Sequence, residues 1–297
     1  LFSDMILDST KLGHTVKDRS AVMAKIIASM DELNFTMEDT KIDVLGNAYE
    51  YLIGQFAATA GKKAGEFYTP SGPAELLCRL ACLGLTDVKS AADPTCGSGS
   101  LLLRLKKYAN VRLHYGQEMN STTYNLARMN MILRGIPYRN FQIYNGDTLE
   151  HDYFGDNKFR VQVANPPYSA QWSADLKFME DERFNEYGKL APKSKADFAF
   201  VQHMISHMDE DGRAVVLLPH GVLFRGGAEE TIRQYIIEKL NVLDAVIGLP
   251  ANLLFGTGIP AINKIGAFEF LFGNEWRPSS DVYGIFPMII SSIYVTA

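Results

Sequence analysis

The sequence predicts an α/β fold in which a mostly parallel sheet carries helices on both faces. Three observations support this prediction. Strand-like and helix-like segments alternate from Ser71 onward, a glycine-rich turn joins the first strand to its helix, and the first three strands end in carboxylates. Such alternation is typical of doubly wound parallel sheets.

Residues 1–64 are predicted to form a separate helical segment. Apolar residues recur at helical spacing from Val16 and again before Ala60, and Asp39 or Thr40 is a plausible cap for the second helix. The stretch TAGKKAGEFYTPSG then breaks the pattern with three glycines and a proline. We take it as the boundary of a second domain over residues 65–261.

Six strands and five helices are predicted within this second domain. Its first helix is expected to begin with Ser71 as cap and Pro73 in the first turn, and Gly135 is expected to end its third helix. A polar insertion, Ser169 to about Ser194, follows the fourth strand. The strands are KSAADP, VRLHYGQE, FQIYNGD, FRVQVANPP, RAVVLLP and VLDAVIGLP.

Composition excludes several classes of protein. The chain has 297 residues, 47% hydrophobic and 21% charged, and it lacks the run of roughly 18 apolar residues that a membrane span needs. The net charge of −5 argues against a free-standing, strongly basic nucleic-acid binder but allows a subunit that reaches DNA beside a partner. A chain that starts at Leu1 rather than at a methionine suggests a fragment.

The cysteines are too few for a disulfide framework. Cys78 and Cys82 lie one turn apart on a predicted helix, but no further His or Cys follows at zinc-like spacing. We therefore expect these two and Cys96 to be small buried residues in a reducing, cytoplasmic setting.

Carboxylates end the first three strands of the predicted sheet. Asp93 opens the turn DPTCGSGS, Glu118 ends the second strand, and Asp147 follows the third. Gly97 and Gly99 allow the backbone to approach a ligand closely. Because ligands bind at the carboxyl ends of parallel strands, these residues predict a site for a nucleoside with a positive or polar tail, since the acids would repel a phosphate.

The segment NPPY ends the fourth strand at the same edge. The Asn165 amide and the Pro166 carbonyl offer two acceptors side by side, which suit a planar –NH₂ group, and the Tyr168 ring offers a stacking face. A base in a duplex would have to be flipped out to reach them. Alone, the segment is equally consistent with a stiff turn at a strand end.

These motifs, taken in order, resemble a known family. DPTCGSGS, GQEMN, NGDTL and ANPPYS are similar to S-adenosylmethionine-dependent N6-adenine DNA methyltransferases, and GEFYTP resembles the cofactor segment of their gamma arrangement. DVLGNAYEYLI, LLPHGVLFRGGAEETIR and GLPANLLFGTGIP resemble the modification subunit of type I restriction–modification systems. The resemblance extends from about Asp43 to Ala261.

The resemblance implies a Rossmann-like S-adenosylmethionine-dependent methyltransferase fold: a doubly wound, mostly parallel sheet with an N-terminal helical segment. It implies methyl transfer from S-adenosylmethionine to adenine N6 in double-stranded DNA, without a metal. The implied partners are DNA, a specificity subunit, a restriction subunit in the full complex, and a second modification subunit, with no membrane association.

The same resemblance assigns roles to individual residues. Glu118 matches the acid on the ribose hydroxyls, and Asp147 matches the acid near the adenine amino group of the cofactor. The residues expected to bind the cofactor are Glu66, Phe67, Tyr68, Thr69, Pro70, Ser71, Asp93, Gly97, Ser98, Gly99, Ser100, Glu118 and Asp147. The residues expected to be catalytic are Asn165, Pro166 and Tyr168.

Two alternative functions stay open on the sequence. A glutamine side-chain amide is also a planar –NH₂, so NPPY is consistent with a protein methyltransferase, although GEFYTP and the helical N-terminal part argue against it. A non-catalytic scaffold with the same fold would hold partners without binding the cofactor. Incubation with labelled cofactor distinguishes the adenine methyltransferase, which labels DNA, from the glutamine methyltransferase, which labels peptide. A cofactor titration tests the scaffold, which would show no saturable binding.

Some residues do not fit the pattern. Gln162 falls in a predicted central strand, where its amide would need hydrogen-bond partners. Trp172 and Phe178 in the insertion could contact DNA or simply pack. Residues 262–297 do not match the strand expected there, and we predict a C-terminal segment of uncertain structure without an assigned function.

Overall fold

The computed structural model describes residues 8–31, 51, 69–249, 276–277, 282–283 and 292–296. The helices in these ranges are α1 Val16–Asp31, α2 Ser71–Ala81, α3 Ser100–Leu105, α4 Ser121–Leu133, α5 Asp197–Ser206 and α6 Ala228–Tyr235, which continues as a π-helical turn at Ile236–Leu240. The strands are β1 Asp87–Asp93, β2 Asn110–Glu118, β3 Phe141–Asn145, β4 Phe159–Ala164, β5 Met208–Leu217, β6 Leu243–Val246, β7 Trp276–Arg277, β8 Val282–Tyr283 and β9 Ser292–Thr296.

Seven strands form the main sheet, in the order β3-β2-β1-β4-β5-β9-β6. Strands β1 to β5 pair in parallel, whereas β9 runs antiparallel to both β5 and β6. The chain order reverses between β1 and β4, which lie side by side. Such a reversal is the point at which open α/β sheets bind ligands.

Both faces of the sheet are buried. On β5, Val215 and Leu217 belong to the hydrophobic cluster under α2, α3 and α4, whereas Ala214 and Val216 belong to the cluster under α5 and α6. Side chains alternate between the faces of a strand, so these two clusters lie on opposite sides of the sheet. The predicted doubly wound α/β fold is confirmed.

Most predicted elements are confirmed within the described residues, and one detail is wrong. Helix α2 has Pro70 as its N-cap, and Ser71 is already its first helical residue, so Ser71 does not cap it. Pro73 lies in the first turn as expected. Gly135 follows the end of α4 with a φ of +71°, as predicted. The helix predicted before Ala60 lies outside the described residues.

Strand β9 was not predicted. It comes from the segment 262–297, to which the sequence assigned no structure, and it pairs with β5 from Arg213↔Thr296 to Leu217↔Ser292. The insertion after β4 is folded rather than merely polar. Trp172 and Phe178 are buried, with ring centroids 5.4 Å apart, so packing explains them and contact with DNA does not.

Gln162 on β4 has a partner for its amide nitrogen, whereas its Oε1 has none among the described residues. Its side chain is fully buried, and Nε2 donates to the Met204 carbonyl of α5 at 2.7 Å. The amide therefore ties β4 to the helix that covers it.

Candidate functional site

The turn after β1 is shaped by its own backbone. Asp93 Oδ1 accepts a hydrogen bond from Thr95 N at 2.9 Å, and Gly99 N donates to Cys96 O at 2.7 Å. Gly97 and Gly99 have φ values of +53° and +76°, in the left-handed region that favours glycine. The sequence Asp-Pro-Thr-Cys-Gly-Ser-Gly thus specifies a tight turn that leads from β1 into α3.

This turn lies directly against β2 and α4. A Cβ atom on Gly116 of β2 would lie 2.9 Å from Cys96 Sγ and 2.8 Å from Ile143 Cδ1, so no larger residue fits without a shift. Asn130 Nδ2 of α4 donates to Ser98 O at 3.0 Å. Neighbouring elements therefore fix the turn from two sides.

Asp93 is a buried acid with a raised pKa. Burial raises the pKa of Asp93 to about 7, the nearby Glu118 carboxylate adds to the rise, and the hydrogen bond from Thr95 N opposes it. Asp93 Oδ2 and Ser98 Oγ are buried and have no hydrogen-bond partner among the described residues. Buried polar atoms are normally paired, so these two indicate a place for a polar ligand.

The other two strand-end acids are half-buried and accept hydrogen bonds from backbone N–H groups. Glu118 Oε2 accepts from Gly97 N at 3.1 Å, and Oε1 accepts from Asn120 N at 2.7 Å. Asp147 Oδ1 accepts from Leu149 N at 2.9 Å. The sheet order brings the ends of β3, β2, β1 and β4 into one row, so the predicted acids lie along a single edge.

Asn165 follows β4 and is held by two side chains. Its Nδ2 donates to Thr69 Oγ1 at 3.0 Å, and its Oδ1 accepts from the Tyr168 hydroxyl at 2.9 Å. Because Thr69 engages the amino side, the amide oxygen is directed to the other side, and one of its two lone pairs stays available. Pro166 is buried and cannot compete as a donor.

The Tyr168 ring is rigidly held. It packs against the hydrophobic cluster under α2, α3 and α4. Burial raises the pKa of the Tyr168 hydroxyl, and the Asp197 carboxylate adds to the rise, so the hydroxyl stays a neutral donor at physiological pH. A neutral hydroxyl is what the hydrogen bond to Asn165 Oδ1 requires.

The upstream segment GEFYTP is described only in part. Glu66, Phe67 and Tyr68 lie outside the described residues. Thr69 is buried, and its contact with Asn165 joins the predicted cofactor segment to the predicted base pocket. Pro70 caps α2, and Ser71 is exposed in its first turn. No sequence pattern had predicted the contact between Thr69 and Asn165.

The residues at the ends of β1 to β3 fit a nucleoside cofactor that carries a sulfonium and an amino group. Three carboxylates lie along the edge and favour positive charge and hydroxyl donors. The unpaired Asp93 Oδ2 and Ser98 Oγ offer polar contacts, and Gly97 and Gly99 present bare backbone.

A second cluster of titratable side chains lies under α5. Ligand atoms of Asp152, His203 and His207 are all within 4.8 Å of one another, a set that could hold a metal ion. His207 Nε2 already lies 2.8 Å from Asp152 Oδ2, and Arg183 Nη1 lies 3.2 Å from His203 Nδ1. Burial lowers the pKa of His203 well below its ordinary value, so its neutral ring accepts from the guanidinium. The cluster is explained as a structural network, because a further cation would lie beside Arg183.

The fold and this site define a class of protein. The sheet order, with helices on both faces, is that of the S-adenosylmethionine-dependent methyltransferase fold. The chain superposes with a TM-score of 0.61, at 16% identity, on the structure of a putative class I S-adenosylmethionine-dependent methyltransferase from Listeria monocytogenes, over 82% of this chain and 72% of that one.

Within this class the chain belongs to the N-6 DNA Methylase family, whose model matches residues 40–265. It is 44% identical, over 87% of its length, to the type I restriction enzyme MpnII methylase subunit of Mycoplasma pneumoniae, and covers 50% of that protein. It is also 42% identical to the structure of a type I restriction–modification methyltransferase subunit from Streptococcus thermophilus, with a TM-score of 0.80, over 99% of this chain and 57% of that one. The chain thus spans about half the length of the curated relatives it matches.

The helices within the part of the chain that the structure describes all lack the length and apolar character that a membrane crossing requires. Cys78, Cys82 and Cys96 are free and buried, as the sequence predicted.

Proposed function

We propose that this chain is the methyltransferase portion of a type I modification subunit and transfers a methyl group from S-adenosylmethionine to N6 of adenine in double-stranded DNA. One observation carries the proposal: the Asn165 amide, at the end of β4, is fixed by Thr69 and Tyr168 with its oxygen available as an acceptor. The family membership and the neighbouring acidic edge support it.

Methyl transfer to adenine requires activation of a poor nucleophile. The lone pair of an aromatic amine is delocalised into the ring, and hydrogen bonds from N6–H to Asn165 Oδ1 and the Pro166 carbonyl shift electron density back onto N6. The Tyr168 ring stacks on the flipped base. When bound, S-adenosylmethionine supplies an electrophilic methyl group. The protein then contributes mainly orientation, which is a large effect in bimolecular reactions.

The proposal assigns the cofactor to the adjoining half of the edge. Asp93, Gly97, Ser98, Gly99 and Ser100 form the loop below the methionine and ribose. Glu118 binds the ribose hydroxyls and Asp147 lies near the adenine amino group, whereas residues 66–71 cover the methionine end. Support comes from the unpaired buried oxygens of Asp93 and Ser98.

The domain division and partners belong to the same proposal. Residues 65–261 form the methyltransferase domain, preceded by a helical segment over residues 1–64, and β9 of the later segment joins the same sheet. The net charge of −5 supports DNA binding with help from a specificity subunit, and a restriction subunit and a second modification subunit complete the assembly. The three free cysteines support a cytoplasmic location.

The decisive experiment measures transfer of labelled methyl groups. The chain is incubated with labelled S-adenosylmethionine and duplex DNA, with and without a co-expressed specificity subunit, and in parallel with glutamine-containing peptides. We expect label on adenine N6 of DNA when the specificity subunit is present. Label on peptide alone would favour the glutamine methyltransferase, and absence of saturable cofactor binding would favour the scaffold.

A further inference from the structure

A buried ion pair lies beside the NPPY segment. Asp197, the first residue of α5, is fully buried. Its Oδ1 accepts a hydrogen bond from Ser169 N at 2.8 Å, and its Oδ2 accepts from Arg225 Nη1 at 2.9 Å. Because Ser169 directly follows Tyr168, the Asp197 carboxylate holds the backbone next to the ring that is proposed to stack on the base.

The backbone at this position needs such support. Ser169 has a φ of +50°, in the left-handed region that residues other than glycine rarely adopt. This conformation costs about 1–2 kcal/mol and persists where the surroundings enforce it. A short hydrogen bond from a backbone N–H to a carboxylate is of the stronger, charge-assisted kind. The Ser169 hydroxyl, 3.5 Å from Asp197 Oδ2, adds little.

Arg225, the other member of the ion pair, organises the turn after β5. A Cβ atom on Gly221 would lie 2.5 Å from Arg225 Nε and 2.7 Å from Nη2, so a larger residue there would displace the guanidinium from its present position. Arg233 Nη1 donates to the carbonyls of Val222 at 2.8 Å and Arg225 at 3.0 Å. Arg225 Nη1 also donates to Glu229 Oε1 at 2.9 Å.

The ion pair therefore joins the turns that follow two neighbouring strands. β4 and β5 pair in register from Val161↔Arg213 to Ala164↔Val216, and the turns beyond them meet through Asp197 and Arg225. A buried ion pair contributes little net stability because desolvation offsets much of its attraction. Positioning of the turns is the more direct explanation of this one.

We propose that Asp197 is a positioning residue of the target-base pocket. By fixing the Ser169 backbone it sets the direction of the Tyr168 ring and keeps the Tyr168 hydroxyl on Asn165 Oδ1. Asp197 itself contacts neither the base nor the cofactor. The inference rests on the proposed adenine methylation and deepens it.

The substitution Asp197→Asn tests the proposal. The amide cannot serve both neighbours, because with its oxygen on Ser169 N its amino group faces the Arg225 guanidinium, a donor against a donor. We expect kcat for DNA methylation to fall between about tenfold and a hundredfold, the loss typical of a small misplacement. Binding of S-adenosylmethionine should stay within about twofold of wild type, because the hydrogen bonds of Asp197 go to Ser169 and Arg225, neither of which is a proposed cofactor residue.

Glu229→Gln is the matched control. It removes a carboxylate from the same guanidinium without touching Ser169, so its methylation rate should match wild type even if its melting temperature falls. A fluorescent 2-aminopurine at the target position adds a readout that a merely structural role would not move. Its emission in the complex should differ from that of the wild type in Asp197→Asn, since the Tyr168 ring is displaced from the base, and stay unchanged in Glu229→Gln.

The outcomes separate the two proposals. A wild-type complex that binds the cofactor but methylates no adenine overturns the proposed function, and this inference with it. An active wild type with an equally active Asp197→Asn overturns the inference alone, as does a parallel loss of rate in both variants that follows their melting temperatures. If Asp197→Asn does not fold, Asp197→Glu decides by the same measurements, because it keeps the charge but displaces the carboxylate from Ser169 N.

Discussion

The two halves of the site are built in different ways. At the ends of β1 to β3, each acid is held by backbone two residues further along: Thr95 on Asp93, Asn120 on Glu118 and Leu149 on Asp147. Glu118 also accepts from Gly97 N, 21 residues earlier in the chain, which ties the glycine turn to β2. After β4, Asn165 is held by side chains alone, the nearby Tyr168 and the distant Thr69. Backbone N–H groups thus hold the acids of the proposed cofactor half, whereas side-chain contacts hold the amide of the proposed target half.

This difference predicts that substitutions in the two halves affect different properties of the protein. Loss of a target-half side chain should reduce the chemical step and spare cofactor binding, because its contacts do not shape the glycine turn. Changes in the cofactor half should alter cofactor affinity or the stability of the fold. Single substitutions in each half test whether the chemical step and cofactor binding are affected separately.

Asn165→Ala should reduce methylation by a factor of about a hundred to a thousand, as loss of a key polar group in an active site typically does. The affinity for S-adenosylmethionine should be nearly unchanged. Single-turnover methyl transfer and calorimetric titration of the cofactor measure the two quantities. Unchanged methylation would refute the role of Asn165, and a parallel loss of cofactor affinity would refute the separation of the halves.

Asp93→Asn should stabilise the cofactor-free protein at neutral pH while weakening cofactor binding. The folded-state pKa of Asp93, about 7, lies above its ordinary value of 3.8. The folded protein therefore binds the proton more tightly, and wild-type stability falls as pH rises from about 4 to about 7, by up to about 1.4 kcal/mol per pH unit.

Asparagine does not titrate, so the advantage of this variant in the free energy of unfolding should grow across that pH window and level off above it. Urea unfolding of both proteins from pH 4 to pH 8 measures the gap. A gap that is independent of pH would contradict the raised pKa of Asp93.

Gly116→Ala should destabilise the fold by about 1–3 kcal/mol, the usual range for overpacking. The added Cβ would lie within 3 Å of Cys96 Sγ and Ile143 Cδ1 and would displace the glycine turn, so cofactor affinity should fall as well. Gly72→Ala is the control, because among the described residues beyond its own helical neighbours no atom lies within 4 Å of its added Cβ. Thermal unfolding and cofactor titration of both variants check this, and equal behaviour would count against the close approach at Gly116.

Thr69→Val should have the smallest effect, a fall in kcat of about fivefold. The substitution preserves shape but removes the acceptor for Asn165 Nδ2, leaving the amide free to turn; the net worth of such a hydrogen bond is about 1 kcal/mol. Cofactor affinity, measured alongside kcat, distinguishes the alternatives. If affinity falls while kcat is kept, Thr69 acts through the cofactor rather than through Asn165.

Much of the cofactor half could be predicted from the sequence. Glycines and acids at successive strand ends specify local turns, and parallel strands bring their carboxyl ends to one edge. The target half was predicted only at Asn165, Pro166 and Tyr168. The contact from Thr69 spans 96 residues, and no local pattern indicates it.

The sequence was also silent on how the remaining polar residues are satisfied. A buried Gln162 does not fit the pattern of a central strand, and only the fold shows that Met204 of α5 accepts a hydrogen bond from its amide nitrogen. Asp197 opens α5, and no local pattern distinguishes it from an ordinary acid in a first helical turn. Strand β9 was not predicted. Its pairing with β5 depends on which backbone N–H and C=O groups of β5 are left unpaired in the folded sheet, and the residue pattern of β9 does not show this.

By itself, the sequence determined the α/β class, strands β1 to β6 and the row of acids at the strand ends. These features could be predicted because periodicity and turn chemistry act over a few neighbouring residues. Only the tertiary structure decided how Asn165 is oriented and how Ser169 is held. The first outcome depends on the contact of Thr69 with Asn165, and the second on the contact of Asp197 with Ser169. Both contacts join residues that are distant in the chain and form only in the folded protein. A hydrogen bond between distant residues becomes decisive once burial removes the water that would otherwise replace it.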